Sequence, residues 1–235
     1  MTLQGKVAII TGAGRGIGKA IALAYAREGA RLAICARTAS EIEKTEQEIQ
    51  ALKGECRSWV CDVSLEESVK EFTNKVEQSY GKVDTLVNNA GVMTRPVPIA
   101  EMEPRKWDYT IAVNLRGPFL VTQAVLPMMT RQRSGSIINV SSSIGRGAYA
   151  NFGAYAVSKW GLEGFTQTLA AEVRSYNIRV NSVEPGYVAT KLTGYNGCKP
   201  ESVTEAFVFL ATDEAKKITG KMLSSSGWRS QIKGN

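Results

Sequence analysis

A phenol and an ammonium stand four residues apart in Tyr155-Ala156-Val157-Ser158-Lys159. If the apolar pattern running on from Trp160 to Val173 is one helix, that spacing puts both groups on the same face. Such a pair can do acid-base chemistry. A tyrosine with an intrinsic pKa of about 10 is a poor proton donor near neutrality, but a nearby lysine cation favours the phenolate and lowers that value. The chain has no histidine, which removes the commonest general base, the commonest zinc ligand and every Ser-His-Asp or Cys-His arrangement. Tyr-x-x-x-Lys alone is common on solvated helix surfaces, so the pair acquires meaning only from its context.

A second chemical signal is the segment Thr11-Gly12-Ala13-Gly14-Arg15-Gly16-Ile17-Gly18, which follows the apolar run Lys6 to Thr11 and opens a helical pattern through Ala20 to Ala26. Glycines let the turn approach a pyrophosphate closely, and a helix N-terminus directs free amides and a positive dipole end at it. The spacing Gly12-x-x-x-Gly16-x-Gly18 differs from G-x-G-x-x-G, and no Gly-Lys-Ser/Thr follows, so a P-loop is excluded. In an NAD-binding unit an acidic residue about 20 positions on would hold the ribose hydroxyls. Here the second apolar run ends Cys35-Ala36-Arg37-Thr38. Arg37, with Arg15 in the turn, offers guanidinium groups to a 2′-phosphate instead, which makes NADP(H) the expected cofactor. The plain alternative is that both arginines are solvated surface side chains.

These residues need elements to hold them, and the pattern supplies a βαβ rhythm. Strand-like runs at Arg31 to Ala36, Arg57 to Cys61, Thr85 to Asn88, Ser136 to Ser141 and Arg179 to Val183 are separated by segments long enough for crossover helices. Helical patterns cover Ser40 to Leu52 and Ser64 to Tyr80. Ser40 with Glu43, and Ser64 with Glu67, have the capping-box spacing, and Gly29, Gly54 and Gly81 suit helix C-termini. Near-continuous apolar strands such as Val7-Ala8-Ile9-Ile10 predict a parallel sheet covered on both faces, where a sandwich would alternate polar and apolar. The expected fold is α/β: a single Rossmann-like doubly wound parallel sheet of about seven strands.

The 235 residues, 43% hydrophobic and 22% charged, suit one domain with a continuous core, and no low-complexity tract offers a linker. Cys35, Cys56, Cys61 and Cys198 form no C-x-x-C pair, so free thiols and a cytoplasmic setting are expected. No apolar run approaches the ~20 residues that span a bilayer. The net charge of +7 is spread along the chain without a finger or RNA-binding motif, which argues against nucleic acid.

Taken in order, the motifs resemble those of the short-chain dehydrogenase/reductase family over nearly the whole chain. Thr11 to Gly18 is similar to its cofactor turn, Asp62-Val63 to its adenine-side pair, Asn88-Asn89-Ala90-Gly91 to its fourth-strand motif, and Asn114 to its helix asparagine. Ser142 precedes Tyr155 by 13 positions, as the family's serine does, which selects it over Ser141 and Ser143. Tyr155 and Lys159 fit the active-site motif, and Pro185-Gly186-x-x-x-Thr190 fits the nicotinamide-side loop. The resemblance implies hydride transfer between nicotinamide and a carbonyl carbon. Tyr155 would exchange the proton, Ser142 would hold the oxygen, and Lys159 would contact the ribose and depress the Tyr155 pKa. Asn114 would anchor a water linking Lys159 to solvent. Gly12, Arg15, Gly16, Ile17, Gly18, Arg37, Asp62, Val63, Asn89, Ala90, Gly91, Val188 and Thr190 would bind the cofactor. Asp62 could also be a helix-capping carboxylate before Ser64, and Asn89 a turn former.

The chain departs from the family in two places. Its members carry a substantial substrate lid between the Pro-Gly loop and the next helix, but only residues 191–199 separate Thr190 from Pro200-Glu201. Either this lid is truncated and the site open, or residues are missing. Near the C-terminus, Ile218 to Leu223 is similar to the family's last strand, whereas Ser224-Ser225-Ser226-Gly227-Trp228 replaces its usual Val-Asp-Gly-Gly. The implied branch is 3-oxoacyl-[acyl-carrier-protein] reductase, acting on an acyl thioester. A basic surface, with Arg131 and Arg133 before the serine strand, would suit an acidic carrier protein. General carbonyl, sugar or steroid reductases, and a binding-only relative, are the alternatives. The family also implies a homo-oligomer, a tetramer or dimer built on helices near Leu115 to Met129 and Gly161 to Val173.

Overall fold

The computed structural model describes residues 1–147 and 149–233. Seven parallel strands form one sheet in the order β3-β2-β1-β4-β5-β6-β7. The strands are β1 Val7–Thr11, β2 Arg31–Ala36, β3 Cys56–Val60, β4 Thr85–Asn88, β5 Gly135–Val140, β6 Ile178–Glu184 and β7 Met222–Ser224. Along β1 alternate side chains feed two cores: Val7 and Ile9 face one way, Ala8 and Ile10 the other. Helices α1 Gly16–Arg27, α2 Ala39–Ala51, α7 Glu205–Ala211 and α8 Trp228–Lys233 cover the Ile10 face. Helices α3 Glu66–Tyr80, α5 Gly117–Gln132 and α6 Gly153–Glu172 cover the Ile9 face. Both faces are dry at the centre of the sheet, which is why β1 reads as an unbroken apolar run, while edge strand β3 is partly exposed.

The chain winds outward from β1 to β3, then crosses back to place β4 on the other side of β1. This reversal opens a crevice at the carboxyl ends of β1 and β4, where ligands of doubly wound sheets bind. Between α4 Pro104–Ile111 and α5, residues Ala112–Arg116 form a π-helical turn carrying Asn114. Such bulges disturb the regular hydrogen-bond ladder and concentrate at functional sites.

The helix boundaries differ from the expected caps. The N-caps of α2 and α3 are Thr38 and Leu65, neither with a side-chain cap. Ser40 lies inside α2, and the Ser64 hydroxyl donates to Asp62 Oδ1 at 2.7 Å, so neither capping box forms. Gly81 does close α3 in the left-handed region at φ 69°. After α2, however, Lys53 takes that conformation (φ 61°), while Gly54 is small because a Cβ there would meet Ile49 Cγ2 at 2.8 Å.

Residues 191–199 make a compact loop. A 3-10 turn at Lys191–Thr193 is closed by a capping box between Thr190 and Thr193, and Cys198 returns to bridge Val188. The altered C-terminal segment is tied down as well: the Ser225 amide donates to Glu184 O at 2.8 Å and Trp228 stacks on Phe209. Among the described residues all four cysteines are free thiols. No helix there is long and apolar enough to cross a membrane.

Candidate active site

All but two of the candidate residues line one cleft at the carboxyl ends of the strands. The exceptions are Gly18 and Asn114, which shape the cleft from behind. A Cβ at Gly18 would stand 2.3 Å from Asn89 Nδ2 and 2.5 Å from Gly12 O, so this glycine lets α1 pack onto the loop after β4. Asn89 locks that loop to the glycine turn through bonds from Nδ2 to Thr11 O (2.9 Å) and Gly12 O (3.1 Å). Thr11 completes the junction, its hydroxyl accepting from the Asn89 and Ala90 amides at 3.0 Å each. The Thr11 role is the same type of tie as Asn89 and carries no separate sequence signal.

The cradle fits a dinucleotide. Gly12 and Gly16 adopt φ of 65° and 58°, and a Cβ on Gly12 would meet Ala90 Cα at 2.8 Å. The first turn of α1 has no side-chain cap and no acidic residue, which leaves its amides available to an anion. Further along the cleft, the Ser141 hydroxyl is buried without a hydrogen-bond partner. A buried polar group without a partner is costly and points to a ligand atom. Asp62 borders the cleft and accepts from the Ser64 amide at 2.9 Å in a local turn, but it does not cap α3, whose N-cap is Leu65.

At one end of the cleft, Arg15 pairs with Glu41 at 2.5 Å, and Arg37 donates to the Tyr109 hydroxyl while lying over its ring. Glu41 and Tyr109 were not legible as partners, because α2 and α4 bring them in from 26 and 72 residues away.

At the other end, Ser142, Tyr155 and Lys159 converge. Ser142 lies two residues beyond β5 as the N-cap of a short turn, its Oγ accepting from the Ile144 amide at 3.3 Å. Tyr155 and Lys159 share a face of α6, with the Lys159 Nζ 5.6 Å from the phenol ring centre. Lys159 is 5% exposed, and its ammonium donates to Val140 O at 2.8 Å. Burial pulls its pKa down to about 8, opposed by Glu163. The expected lowering of the Tyr155 pKa is not what this geometry gives. Burial raises it from the ordinary 10.0, and a hydrogen-bonding contact with Ser142 works against that rise. Desolvation of the phenolate outweighs the stabilisation from its neighbours.

Asn114 clamps the loop beyond β4, accepting from Val92 N and donating to Val92 O at 2.8 Å each, and it reaches Ser158 Oγ at 3.2 Å. It thus braces the helix turn carrying Lys159. Arg131 and Arg133 lie at the far end of β5 from Ser142, about 20 Å along the strand. Arg131 pairs with Glu77, and Arg133 donates to Ser175 O and lies over Tyr176. Within one chain they do not border the catalytic cleft.

Known proteins agree with this architecture. The sequence model of the short chain dehydrogenase family matches residues 6–199. The 3-oxoacyl-[acyl-carrier-protein] reductase of Thermotoga maritima is 42% identical, covering 97% of this chain and 98% of the relative. That alignment spans 246 positions against 235 residues here, so the relative carries insertions. The D-threitol dehydrogenase of Mycolicibacterium smegmatis is 37% identical over 96% of this chain and 93% of the relative. The crystal structure of levodione reductase superposes with a TM-score of 0.91 at 27% identity, covering 94% of this chain and 96% of the other. The glycine turn, the order of the strands and these matches lead to one assignment: the chain belongs to the short-chain dehydrogenase family, whose oxidoreductases work with a nicotinamide cofactor.

Proposed function

We propose that this protein is an NADP(H)-dependent reductase that interconverts a ketone and a secondary alcohol, with a 3-oxoacyl thioester on an acyl-carrier protein as its substrate class. The observation that carries the reading is the meeting of Ser142, Tyr155 and Lys159 at one end of a glycine-lined cleft whose other end holds Arg15 and Arg37. Bound there, the nicotinamide supplies or accepts the hydride. Gly12, Gly16, Ile17 and the α1 amides hold the pyrophosphate. Asp62, Val63, Asn89, Ala90 and Gly91 form the wall beside the nucleoside, and Val188 and Thr190 the wall beside the nicotinamide. Arg37 and Arg15 favour a 2′-phosphate through charge-assisted hydrogen bonds.

Tyr155 gives its phenolic proton to the carbonyl oxygen, and Ser142 holds that oxygen in line. Because burial keeps Tyr155 protonated, the phenol is the form present near neutrality, as a general acid requires. Lys159 presents its ammonium beneath the phenol and returns the proton after transfer, while Asn114 fixes the loop and helix through which that proton is replaced. Lys191, Leu192 and Thr193 of the compact 191–199 loop line the same cleft. The chain acts as a single catalytic domain in the cytoplasm, and exposed Phe119, Val157 and Trp160 on α5 and α6 suit association with further copies, as a dimer or tetramer.

The test is NADPH oxidation with an acetoacetyl thioester, alongside NADH and an unrelated diketone. Thioester turnover with NADPH above NADH is the expected result. Tyr155→Phe should lower that turnover by about 10²–10⁴-fold while NADPH still binds. Activity on the diketone alone moves the protein to the general carbonyl reductases, and NADH preference overturns the arginine reading.

A further inference from the structure

The two arginines on the cleft are held by partners of different charge. Arg15 precedes α1, Arg37 follows β2, and both line the cleft. The partner of Arg37 is neutral: its guanidinium donates to the Tyr109 hydroxyl and lies 5.6 Å from the centre of that ring. A phenol leaves the charge of Arg37 uncancelled. The partner of Arg15 is Glu41, whose carboxylate stands 2.5 Å away and lines the same cleft. Glu41 is rooted at the glycine turn. It lies in the first turn of α2, and a Cβ on Gly14 would stand 2.9 Å from its own Cβ. The Thr45 hydroxyl, shared between Glu41 O at 3.1 Å and Gly14 O at 3.3 Å, ties that turn of α2 to the glycine turn. A second ion pair, Lys19 with Glu48 at 2.7 Å, joins α1 to α2 further along.

Binding a phosphate takes N–H donors and net positive charge. Arg37 brings both once it turns from the phenol. Arg15 and Glu41 together sum to zero, and a phosphate gains the donors of Arg15 only by displacing the carboxylate. The pair itself is a small obstacle, because its side chains are 48% and 34% exposed and ion pairs in water are weak. The lasting obstacle is the displaced charge, which stays rooted beside the turn and repels the phosphate. We propose that Glu41 is a specificity-determining residue: it cancels Arg15, leaves the 2′-phosphate to Arg37, and holds the preference for NADPH over NADH below what two free arginines would give. The proposal rests on the reading of this end of the cleft as the 2′-phosphate site and deepens it. Asp62, the other acidic residue on the cleft, faces Ser64 instead, accepting from its amide at 2.9 Å and its hydroxyl at 2.7 Å.

Isothermal titration with adenosine 2′,5′-bisphosphate and with 5′-AMP reads this end of the cleft without hydride transfer. The quantity compared is the ratio of the two dissociation constants. Glu41→Gln should move that ratio about 5–10-fold in favour of the bisphosphate, the effect of one charge about 4 Å away in a watery site. Glu41→Asp, which keeps the charge, should stay near the wild-type ratio. Arg37→Gln should move it the other way by about tenfold or more, as loss of a hydrogen bond to a charged group does. Replacing Arg15 and Glu41 together by glutamine leaves the net charge unchanged, so the ratio should stay within about twofold of wild type. An unmoved ratio in Glu41→Gln overturns the proposal, since a residue that merely starts α2 would weaken both ligands alike. A double variant that falls as far as Arg37→Gln overturns it too, because Arg15 would then reach the phosphate in spite of Glu41. If wild type binds the two ligands equally and Glu41→Gln creates a preference for the bisphosphate, the NADP(H) reading falls and the role of Glu41 stands.

Discussion

Lys159 bears its charge against its surroundings. Its pKa falls from 10.5 to about 8 on folding, so between those values the unfolded chain binds more protons than the native state. Stability attributable to this group therefore rises as pH climbs from 8 to 10.5, and the full penalty applies below pH 8. The shift corresponds to about 3 kcal/mol, from which the lost bond to Val140 O returns about 1 kcal/mol. Lys159→Met should then raise stability at pH 7 by about 1–2 kcal/mol, or about 3–6 °C in Tm, while removing turnover. The gain should shrink toward nothing as pH approaches about 10.5, where the native lysine is neutral and the unfolded one has lost about half of its proton. Thermal melts from pH 6 to 10.5 check this, and a variant less stable than wild type at pH 7 would refute it. That Tyr155 and Lys159 share one face of a helix was legible from their spacing, whereas their place among the candidate residues came from the order of the motifs around them. Their electrostatics were not legible, since burial and the position of Glu163 depend on which helix face meets the sheet.

The glycine turn works because two elements can touch there. Its placement between a strand and a helix was legible in the sequence, but the packing demand at Gly18 became visible only with the loop after β4 in place. Gly18→Ala puts a methyl 2.3 Å from Asn89 Nδ2, and either α1 or that loop must give way. The expected outcome is a loss of about 1–3 kcal/mol in urea unfolding, as for other overpacked sites, with at least tenfold weaker NADPH binding by fluorescence titration. Unchanged binding would mean that the turn tolerates displacement. The central strands were read well because both faces of the sheet are dry there, whereas edge strand β3 is half exposed. Gly29 and Gly81 do close α1 and α3 at positive φ, but the two N-terminal capping boxes were misread. Ser40 and Ser64 have capping-box spacing, but the helix start is set by where the preceding strand releases the chain, and Ser64 was taken by Asp62. Lys53 in the left-handed region likewise answers to Gly54 being needed against Ile49.

Across the whole molecule, a net charge of +7 acts over distances that side-chain contacts do not. An acidic carrier protein would be drawn to this surface and a small neutral thioester would not, so ionic strength separates the two substrates. The Debye length shrinks from roughly 14 Å at 0.05 M to roughly 6 Å at 0.3 M salt, which removes attraction between charges that do not touch. KM for a 3-oxoacyl group on its carrier should rise several-fold over that interval, with kcat unchanged, while KM for the free acetoacetyl thioester stays constant. The NADPH dependence must be measured at saturating cofactor in both salts, because the Arg15 and Arg37 end of the cleft is itself salt-sensitive. Arg131 and Arg133 sit at the other end of β5 from Ser142, so neutralising them in one chain leaves the local chemistry intact. If the salt effect on the carrier-bound substrate survives their replacement, the long-range field of the molecule governs encounter; if the effect disappears, docking is local to that edge. Equal salt dependence for carrier-bound and free substrates would remove the carrier protein from the proposed function.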